Sequence, residues 1–455
     1  MRLRMVLVVL LAAASTGVVA PARANTKLRA FRSCTGLVDY GRHYVARESR
    51  SPNSRPQGVT PQTPTGQNQG AASAPTVADQ QKTDDFSTTN VQEAGVDEPD
   101  IVKTDGSTVF ALAGGQLQAV AVRGGAPKLL DSLDVPDGGQ ALLLRGTHLL
   151  VIGAQANYPI AIERPVGGAQ PGIVAPFQYR QQTKLTEVDI HDPSSLKVLQ
   201  TLTLDGTYVD GRQVGGATRL VLSNTPRAIY DTAQRSQPSG WRPYATLRSV
   251  RAKRSTTKPL IACNEIRRAP IFSGLDMISV VTIHLDHGLD PVDTDGLLTD
   301  AQTVYASPNA LYVATPRWYD QANLPEQLPQ GTTTAVHEFA FRSDGQTDYV
   351  ASGSVPGVLL NQYSLSEDSG HLRVASTDTP PWTPEGQQQG QSQSFVTVLD
   401  QQGGALTKVG QVGDLGRGQR IYAVRFIGDV GYVVTFRQVD PLYTCLLYTS
   451  DAADE

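Results

Sequence analysis

The chain has 455 residues, a formal net charge of −4 and 40% apolar residues, which is enough to bury the core of a large domain. The mild acidity favours neither nucleic acid nor an anionic lipid surface as a partner. The chain contains three cysteines, Cys34, Cys263 and Cys445.

The two ends of the chain predict segments outside the folded domain. Residues 1–24 begin with positive charge, continue as an apolar run and end in Ala22-Arg23-Ala24, which is the order of a secretory signal peptide. The run is too short and Ala-rich to predict a membrane span, although an uncleaved anchor is the alternative. Residues 445–455 read CLLYTSDAADE and resemble the translation of a sequencing adapter, with a natural tail as the alternative. We expect a secreted, extracytoplasmic protein of the cell envelope whose native sequence is readable to Thr444.

Two segments precede the main domain. Residues 25–46 form a short N-terminal segment with weak helical periodicity, and residues 47–85 are rich in Pro, Gln and Ser. The second segment has too few large apolar side chains to offset chain entropy, so it is a predicted disordered linker. With Cys445 assigned to the adapter, Cys34 and Cys263 remain in an oxidising compartment, which predicts a disulfide between them. Two separate buried thiols are the alternative, because pairing needs Cα atoms within about 7 Å.

From residue 86 to residue 444 the pattern consists of repeated β-hairpins. One hairpin type recurs six times, with turn pairs such as Asp105-Gly106 that supply positive φ. A second hairpin type follows each of the first five. Alternating hairpins give four strands per unit, which predicts an all-β fold, a β-propeller of four-stranded antiparallel blades. A large β-sandwich is the alternative, but it does not require the hairpin pair to recur. The expected blades are 100–137, 138–206, 207–299, 300–357, 358–416, and 417 onward.

The sixth unit has only its first hairpin before residue 445. About six blades are therefore visible, and we expect an incomplete propeller that is open at its C-terminal side. Residues 226–270 interrupt the third blade with a basic insertion. A solvated excursion packed across one propeller face is the favoured interpretation, and a dedicated anion site is the alternative.

Three stretches resemble a known family. They are TNVQEAGVDEPDIVKTDG (89–106), GVLLNQYSLSEDSGHLRVAST (357–377) and QRIYAVRFIGDVGYVVTFRQVDPLYT (419–444). They are similar to bacterial and archaeal secreted proteins with a C-terminal β-propeller domain distantly related to WD repeats. The resemblance covers residues 86–444 and implies the propeller fold and export. It implies no catalytic residue.

One acidic group is a candidate metal site. Asp97, Glu98 and Asp100 lie just before the first strand of blade one, and the first strands of a propeller line its central channel. Hard cations prefer such oxygen ligands. The alternative is a chain-entry turn whose acids cap backbone N–H groups or pair with Lys103. A second candidate, His284 with His287, is disfavoured because a strand ending near Leu285 would point the two rings to opposite faces.

No nucleophile elbow, phosphate-binding loop or dinucleotide fingerprint is present in the sequence. We therefore predict no catalytic residue and no cofactor. The expected function is a non-enzymatic binding scaffold at the cell envelope or outside the cell, with an unknown protein or polysaccharide as its partner. An extracellular hydrolase or lyase with channel-mouth carboxylates is the alternative, and a purely structural envelope component is a third.

Overall fold

The computed structural model describes residues 27–48, 91–135, 138–155, 159–160, 178–179, 181–270, 272–299, 303–316, 333–379, 391–435 and 442–447. The predicted signal peptide (1–24) lies outside these residues. So do residues 49–85 of the predicted linker and residues 448–455. Within the described ranges, no helix is long and apolar enough to cross a membrane.

The N-terminal segment folds as a short strand and a helix. Its elements are β1 (Arg29–Ala30) and α1 (Cys34–Glu48), and the short strand β2 (Val96–Asp97) comes next in the described chain. Helix α1 buries Leu37 and Val45. A Cβ atom at Gly41 would overlap the indole ring of Trp241, so glycine at this position allows the helix to lie directly against that ring.

Blades one and two follow in chain order. Blade one consists of β3 (Val102–Thr104), β4 (Thr108–Ala113), β5 (Gln116–Ala121) and β6 (Lys128–Asp134). The next strands are β7 (Gly139–Arg145), β8 (His148–Gln155), β9 (Pro159–Ile160), β10 (Gln178–Tyr179), β11 (Gln182–Asp189) and β12 (Lys197–Asp205). Blade two has the strand order β7-β8-β11-β12, whereas β9 pairs with β10 in a separate sheet.

Blade three contains the predicted insertion. It begins with β13 (Thr207–Val214) and β14 (Ala217–Asn224). The insertion holds the short helices α2 (Arg227–Tyr230) and α3 (Pro238–Trp241) and the strands β15 (Tyr244–Ser249), β16 (Arg254–Pro259) and β17 (Ile266–Arg268). The blade resumes with β18 (Met277–His284) and β19 (Asp293–Leu298).

Blades four and five share one eight-stranded sheet. Blade four consists of β20 (Thr303–Ala306), β21 (Ala310–Pro316), β22 (Thr333–Phe341) and β23 (Thr347–Pro356). Blade five consists of β24 (Leu365–Asp368), β25 (His371–Asp378), β26 (Gln393–Gln402) and β27 (Ala405–Leu415). A parallel bridge from Ser352 to Ala405 joins them. The described strands of blade six are β28 (Ile421–Ile427), β29 (Val430–Thr435) and β30 (Leu442–Leu446).

The predicted hairpins pair as expected. Both hairpins of blades one to five, and the first hairpin of blade six, form antiparallel ladders. The predicted all-β class with four-stranded antiparallel blades is confirmed. Strand β30 continues through Cys445, which is buried. The structure therefore shows no break in the fold at Thr444, where the sequence analysis expects foreign sequence to begin.

Apolar clusters fill the spaces between consecutive blades. Because successive side chains of a strand point to opposite faces, one strand contributes to two clusters. Leu220 and Leu222 of β14 pack with residues of blade two, whereas Val221 packs with residues of blade four. Apolar clusters of the same kind lie between blades one and two, between blades four and five, and between blades five and six. Sheets that each pack against two neighbours in series form a propeller and not a two-layer sandwich.

The insertion extends two blades at their outer edges. Strand β15 pairs with β12 and β16 pairs with β15, so blade two becomes a six-stranded sheet. Strand β17 pairs in parallel with β19, and β1 pairs with β17. The expected excursion across one propeller face is thus wrong for these strands, because unpaired sheet edges offer them backbone hydrogen bonds.

A disulfide attaches the N-terminal segment to this insertion. It joins Cys34, the first residue of α1, to Cys263, and the two Cα atoms are 5.1 Å apart, a separation that a disulfide spans. Nearby, Tyr44 stacks on Phe272 with ring centroids 4.0 Å apart. Strand pairing, aromatic packing and a covalent bond therefore act together at this edge of blade three.

Candidate functional site

Residues 91–100, which we name the axial segment, contact the first strand of four blades. These contacts join Gln92 to Leu365 of β24, Glu93 to Tyr305 of β20, Asp97 to Gln213 of β13, and Asp100 to Leu142 of β7. Val96 is buried in the cluster between blades three and four, which anchors the segment. One short segment reaches four blades because their first strands lie around a common axis.

The predicted metal ligands lie in the axial segment, but they contact protein groups. Lys103, which is 4% exposed, donates from Nζ to Oδ1 of Asp97 and to the carbonyl oxygen of Glu98, both at 2.6 Å. Asp100 accepts from the backbone N–H of Ile101 at 2.7 Å. Within the described ranges, no group of three His, Cys, Asp or Glu side chains is placed to hold a metal ion. The geometry matches the chain-entry turn, and the metal-site hypothesis gains no support from it.

Arg212 of β13 joins the polar groups at the axis, although no motif in the sequence marks it. Its side chain is 2% exposed. Nη1 donates to Oδ1 of Asp210 at 2.6 Å, Nη2 donates to Oε1 of Gln362 at 2.8 Å, and Nε lies 3.7 Å from Oε1 of Glu98. Burial lowers the pKa of Arg212, but the carboxylates of Asp210 and Glu98 raise it by more. The guanidinium therefore stays charged and fixes Glu98.

A family model agrees with this arrangement of blades around an axis. The model, described as a beta propeller domain, matches residues 86–452. This chain belongs to the β-propeller domain family. The match includes the axial segment and continues past Thr444.

Curated relatives of this propeller carry no functional description. An uncharacterized protein of Archaeoglobus fulgidus is 24% identical over 442 residues, which covers 79% of this chain and 61% of the relative. An uncharacterized protein of Methanocaldococcus jannaschii is 41% identical over 93 residues, which covers 20% of this chain and 14% of the relative. The propeller chain thus spans less than two thirds of the length of these relatives.

Two solved structures show a remote likeness to the propeller. A functionally unknown protein from Desulfotomaculum acetoxidans has 10% identity and a TM-score of 0.27, with 73% of this chain and 91% of that chain covered. Pseudomonas brassicacearum lignostilbene dioxygenase has 10% identity and a TM-score of 0.25, with 73% and 65% covered. Neither likeness carries an argument about function.

Blades four and five of the propeller enclose a network of acids and tyrosines that the sequence analysis does not identify. Tyr305 donates to Oε1 of Glu93 at 2.7 Å and accepts from the backbone N–H of Glu367 at 2.6 Å. Tyr312 donates to Oε2 of Glu367 at 2.9 Å. Burial, together with the nearby Glu367, raises the pKa of Glu338 to about 7. This acid–tyrosine network can hold a proton near neutral pH.

One sequence signal could have located this network. Glu338 lies between His337 and Phe339 in the third strand of its blade, where both faces of the sheet are buried. A carboxylate in a buried central strand needs polar partners, so it marks a place where a polar cluster must exist. The partners themselves come from other blades and from the axial segment, which local pattern does not reveal.

The two histidines near the end of β18 lie on the same side of the propeller. The strand ends at His284, and a 3₁₀ turn at Leu285–His287 reverses the chain, so the two rings stack with centroids 6.1 Å apart. The expectation of opposite faces is wrong, because it continues the strand by one residue too many.

Proposed function

We propose that this chain is an exported, non-enzymatic propeller that binds an anionic partner at the cell envelope. The observation that carries the proposal is the hairpin β15–β16, which we name the basic hairpin (244–259). It forms the two outermost strands of blade two, and every residue of β16 is exposed. The signal-like order of residues 1–24 supports export, because positive charge precedes an apolar run and a small-residue site.

The charge of the basic hairpin is concentrated and free to bind. Arg248, Arg251, Lys253 and Arg254 are exposed, and none forms an ion pair with another described residue. A fifth cation, Lys258, pairs with Asp290 at 2.6 Å. In a chain of net charge −4, four exposed cations on one edge hairpin, without ion-pair partners in the described part of the chain, create a local positive field that attracts an acidic polymer. We propose that the partner is an anionic polysaccharide of the envelope.

The carboxylates at the axis have internal cationic partners, which disfavours the hydrolase or lyase alternative. An extracellular hydrolase or lyase would use the carboxylates of Asp97 and Glu98, yet these face Lys103 and Arg212. Carboxylates held by internal cations are poorly placed to transfer protons to a substrate. This alternative predicts that replacing Asp97, Glu98 and Asp100 together abolishes turnover of envelope polymers.

The proposal is tested with polysaccharide fractions from cell envelopes and immobilised protein. A variant in which Arg248, Arg251, Lys253 and Arg254 are all changed to Gln should bind at least tenfold more weakly. Wild-type binding should also weaken as salt is added, since the attraction is screened. A control variant neutralises four exposed cations elsewhere, namely Lys128, Lys197, Lys408 and Arg420. Full binding by the hairpin variant, or equal losses in both variants, would refute the assignment.

A further inference from the structure

A groove between blades three and four has an arginine in its wall. Three hairpin turns converge on it: the β13–β14 turn (214–217), the β20–β21 turn (308–309) and the β22–β23 turn (341–345). His284 and Arg219 complete the lining, and the groove encloses about 460 Å³. This volume accommodates a small organic acid or a phosphate group.

Arg219 of β14 is buried with most of its donors unused. The side chain is 2% exposed. Its guanidinium carbon lies 3.6 Å from the ring centroid of Phe341, and Nη2 donates to the carbonyl oxygen of Gly345 at 2.8 Å. Nε and Nη1 have no hydrogen-bond partner within the described part of the chain. A guanidinium has five N–H donors, so this group is far from satisfied.

Among the described residues, no carboxylate forms an ion pair with the positive charge of Arg219. Burial lowers the pKa of Arg219 to about 10, although Asp293 opposes that change, and the side chain stays charged at neutral pH. Asp293 accepts at Oδ2 from the backbone N–H and the hydroxyl of Thr347, at 2.9 and 2.8 Å. A buried cation with only part of its N–H groups hydrogen-bonded destabilises the folded chain.

The remaining wall of the groove is compatible with an anion. His284 and Arg342 are among its lining residues. Asp344 is the one acid among the described lining residues, and it lies 3.0 Å from Nη2 of Arg342. Asp344 therefore already has a cationic partner, whereas no acidic side chain of the described residues forms an ion pair with Arg219.

We propose that this groove binds a small oxyanion, a carboxylate or a phosphate group, through the unpaired N–H groups of Arg219. Arginine donors form strong, charge-assisted hydrogen bonds with either group. The contact with Phe341 and the bond to Gly345 hold the guanidinium in place before the ligand arrives, which reduces the ordering cost of binding. This site uses none of the residues of the basic hairpin, so its test does not depend on the proposed envelope partner.

Calorimetric titration of the full chain with sodium phosphate, and separately with sodium acetate, tests the proposal at constant ionic strength. Wild type should bind at least one of them with a dissociation constant of about 1 mM or tighter, and Arg219→Met should bind at least tenfold more weakly. Binding of phosphate alone identifies a phosphate ligand, and binding of acetate alone identifies a carboxylate. No binding of either by wild type, or equal binding by the variant, overturns the proposal.

A second variant decides the matter even if Arg219→Met fails to fold. Ser343 is exposed on the β22–β23 turn at the groove, so Ser343→Glu brings a competing carboxylate and should weaken oxyanion binding at least tenfold. Ser132→Glu makes the same charge change on an exposed position of blade one and should leave binding unchanged. If both changes weaken oxyanion binding equally, the net charge of the protein alone determines binding, which contradicts a site at Arg219.

Stability of the ligand-free protein separates a binding role of Arg219 from a structural one. Replacing a buried, unsatisfied charge by an apolar side chain of similar length is often neutral or stabilising. We therefore expect Arg219→Met, without added oxyanion, to unfold at the same temperature as wild type or a higher one. A lower unfolding temperature would show that the contacts of Arg219 with Phe341 and Gly345 also stabilise the fold, and the comparison of Ser343→Glu with Ser132→Glu then decides whether the site exists.

Discussion

Glu338 is a single residue whose ionisation links pH to stability. It is 9% exposed in β22, and it faces Tyr312 and Glu367 of the acid–tyrosine network. Burial first, and then the charge of Glu367, raise the pKa of Glu338 from its ordinary 4.5 to about 7. The folded protein thus holds a proton on this carboxyl at pH values where the unfolded chain releases it.

The free energy of unfolding should therefore fall as pH rises from about 4.5 to about 7. Where the folded state binds more protons than the unfolded state, increasing pH favours unfolding. Glu338→Gln keeps a neutral, hydrogen-bonding side chain at every pH, so this variant should lose that part of the pH dependence and exceed wild type in stability above pH 7. Urea unfolding between pH 4 and pH 8 measures the difference. If the free energy of unfolding changes with pH in the same way for both proteins, the assigned protonation of Glu338 is wrong.

At the scale of secondary-structure elements, the disulfide holds α1 against the insertion. The bond between Cys34 and Cys263 spans 229 positions of sequence, and closing so long a loop restricts the unfolded chain strongly. Changing both cysteines to Ser should lower the free energy of unfolding by about 2–5 kcal/mol. Denaturant unfolding measures the loss, and wild type treated with reductant should match the variant. If reductant leaves the free energy of unfolding of wild type unchanged, the two thiols do not pair.

Element by element, sequence predicts this fold where pairing is local. The first hairpin of blade one is visible because Asp105-Gly106 forms its turn and apolar residues alternate on both sides. Strand β16 is missed because its sequence RSTTKP has no apolar alternation, and it forms only at the exposed edge that β15 provides. Helix α1 is weakly predicted because its position depends on the contact of Gly41 with Trp241, about 200 residues away in the sequence. Long-range contacts of this kind leave no local pattern.

At the scale of the whole molecule, the axial segment connects blades that are not neighbours. Apolar clusters join each blade to the next, which alone would make a linear array whose parts unfold stepwise. The axial segment adds contacts to the first strands of blades two to five at once. The sequence pattern singles out Asp97, Glu98 and Asp100 of this segment but not Glu93. It does not reveal the partners Arg212, Tyr305 and Gln362, because these lie more than 100 residues further along the chain.

We expect the axial segment to tie the stability of blade five to that of blade three. Changing Gln92 and Glu93 together to Ala removes the contacts to β24 and β20 but keeps the pairing of Asp97 with β13. It also leaves the buried hydroxyl of Tyr305 without its acceptor, a loss of about 1–3 kcal/mol. Native-state hydrogen exchange should then show at least tenfold faster exchange in β24 and β25, with little change in β13 and β14.

Equal acceleration of exchange in all blades would mean that the propeller opens as one unit, whatever the axial segment contacts. A control with Gln116→Ala, which removes an exposed bond to Asp134 in blade one, should leave blade five unchanged.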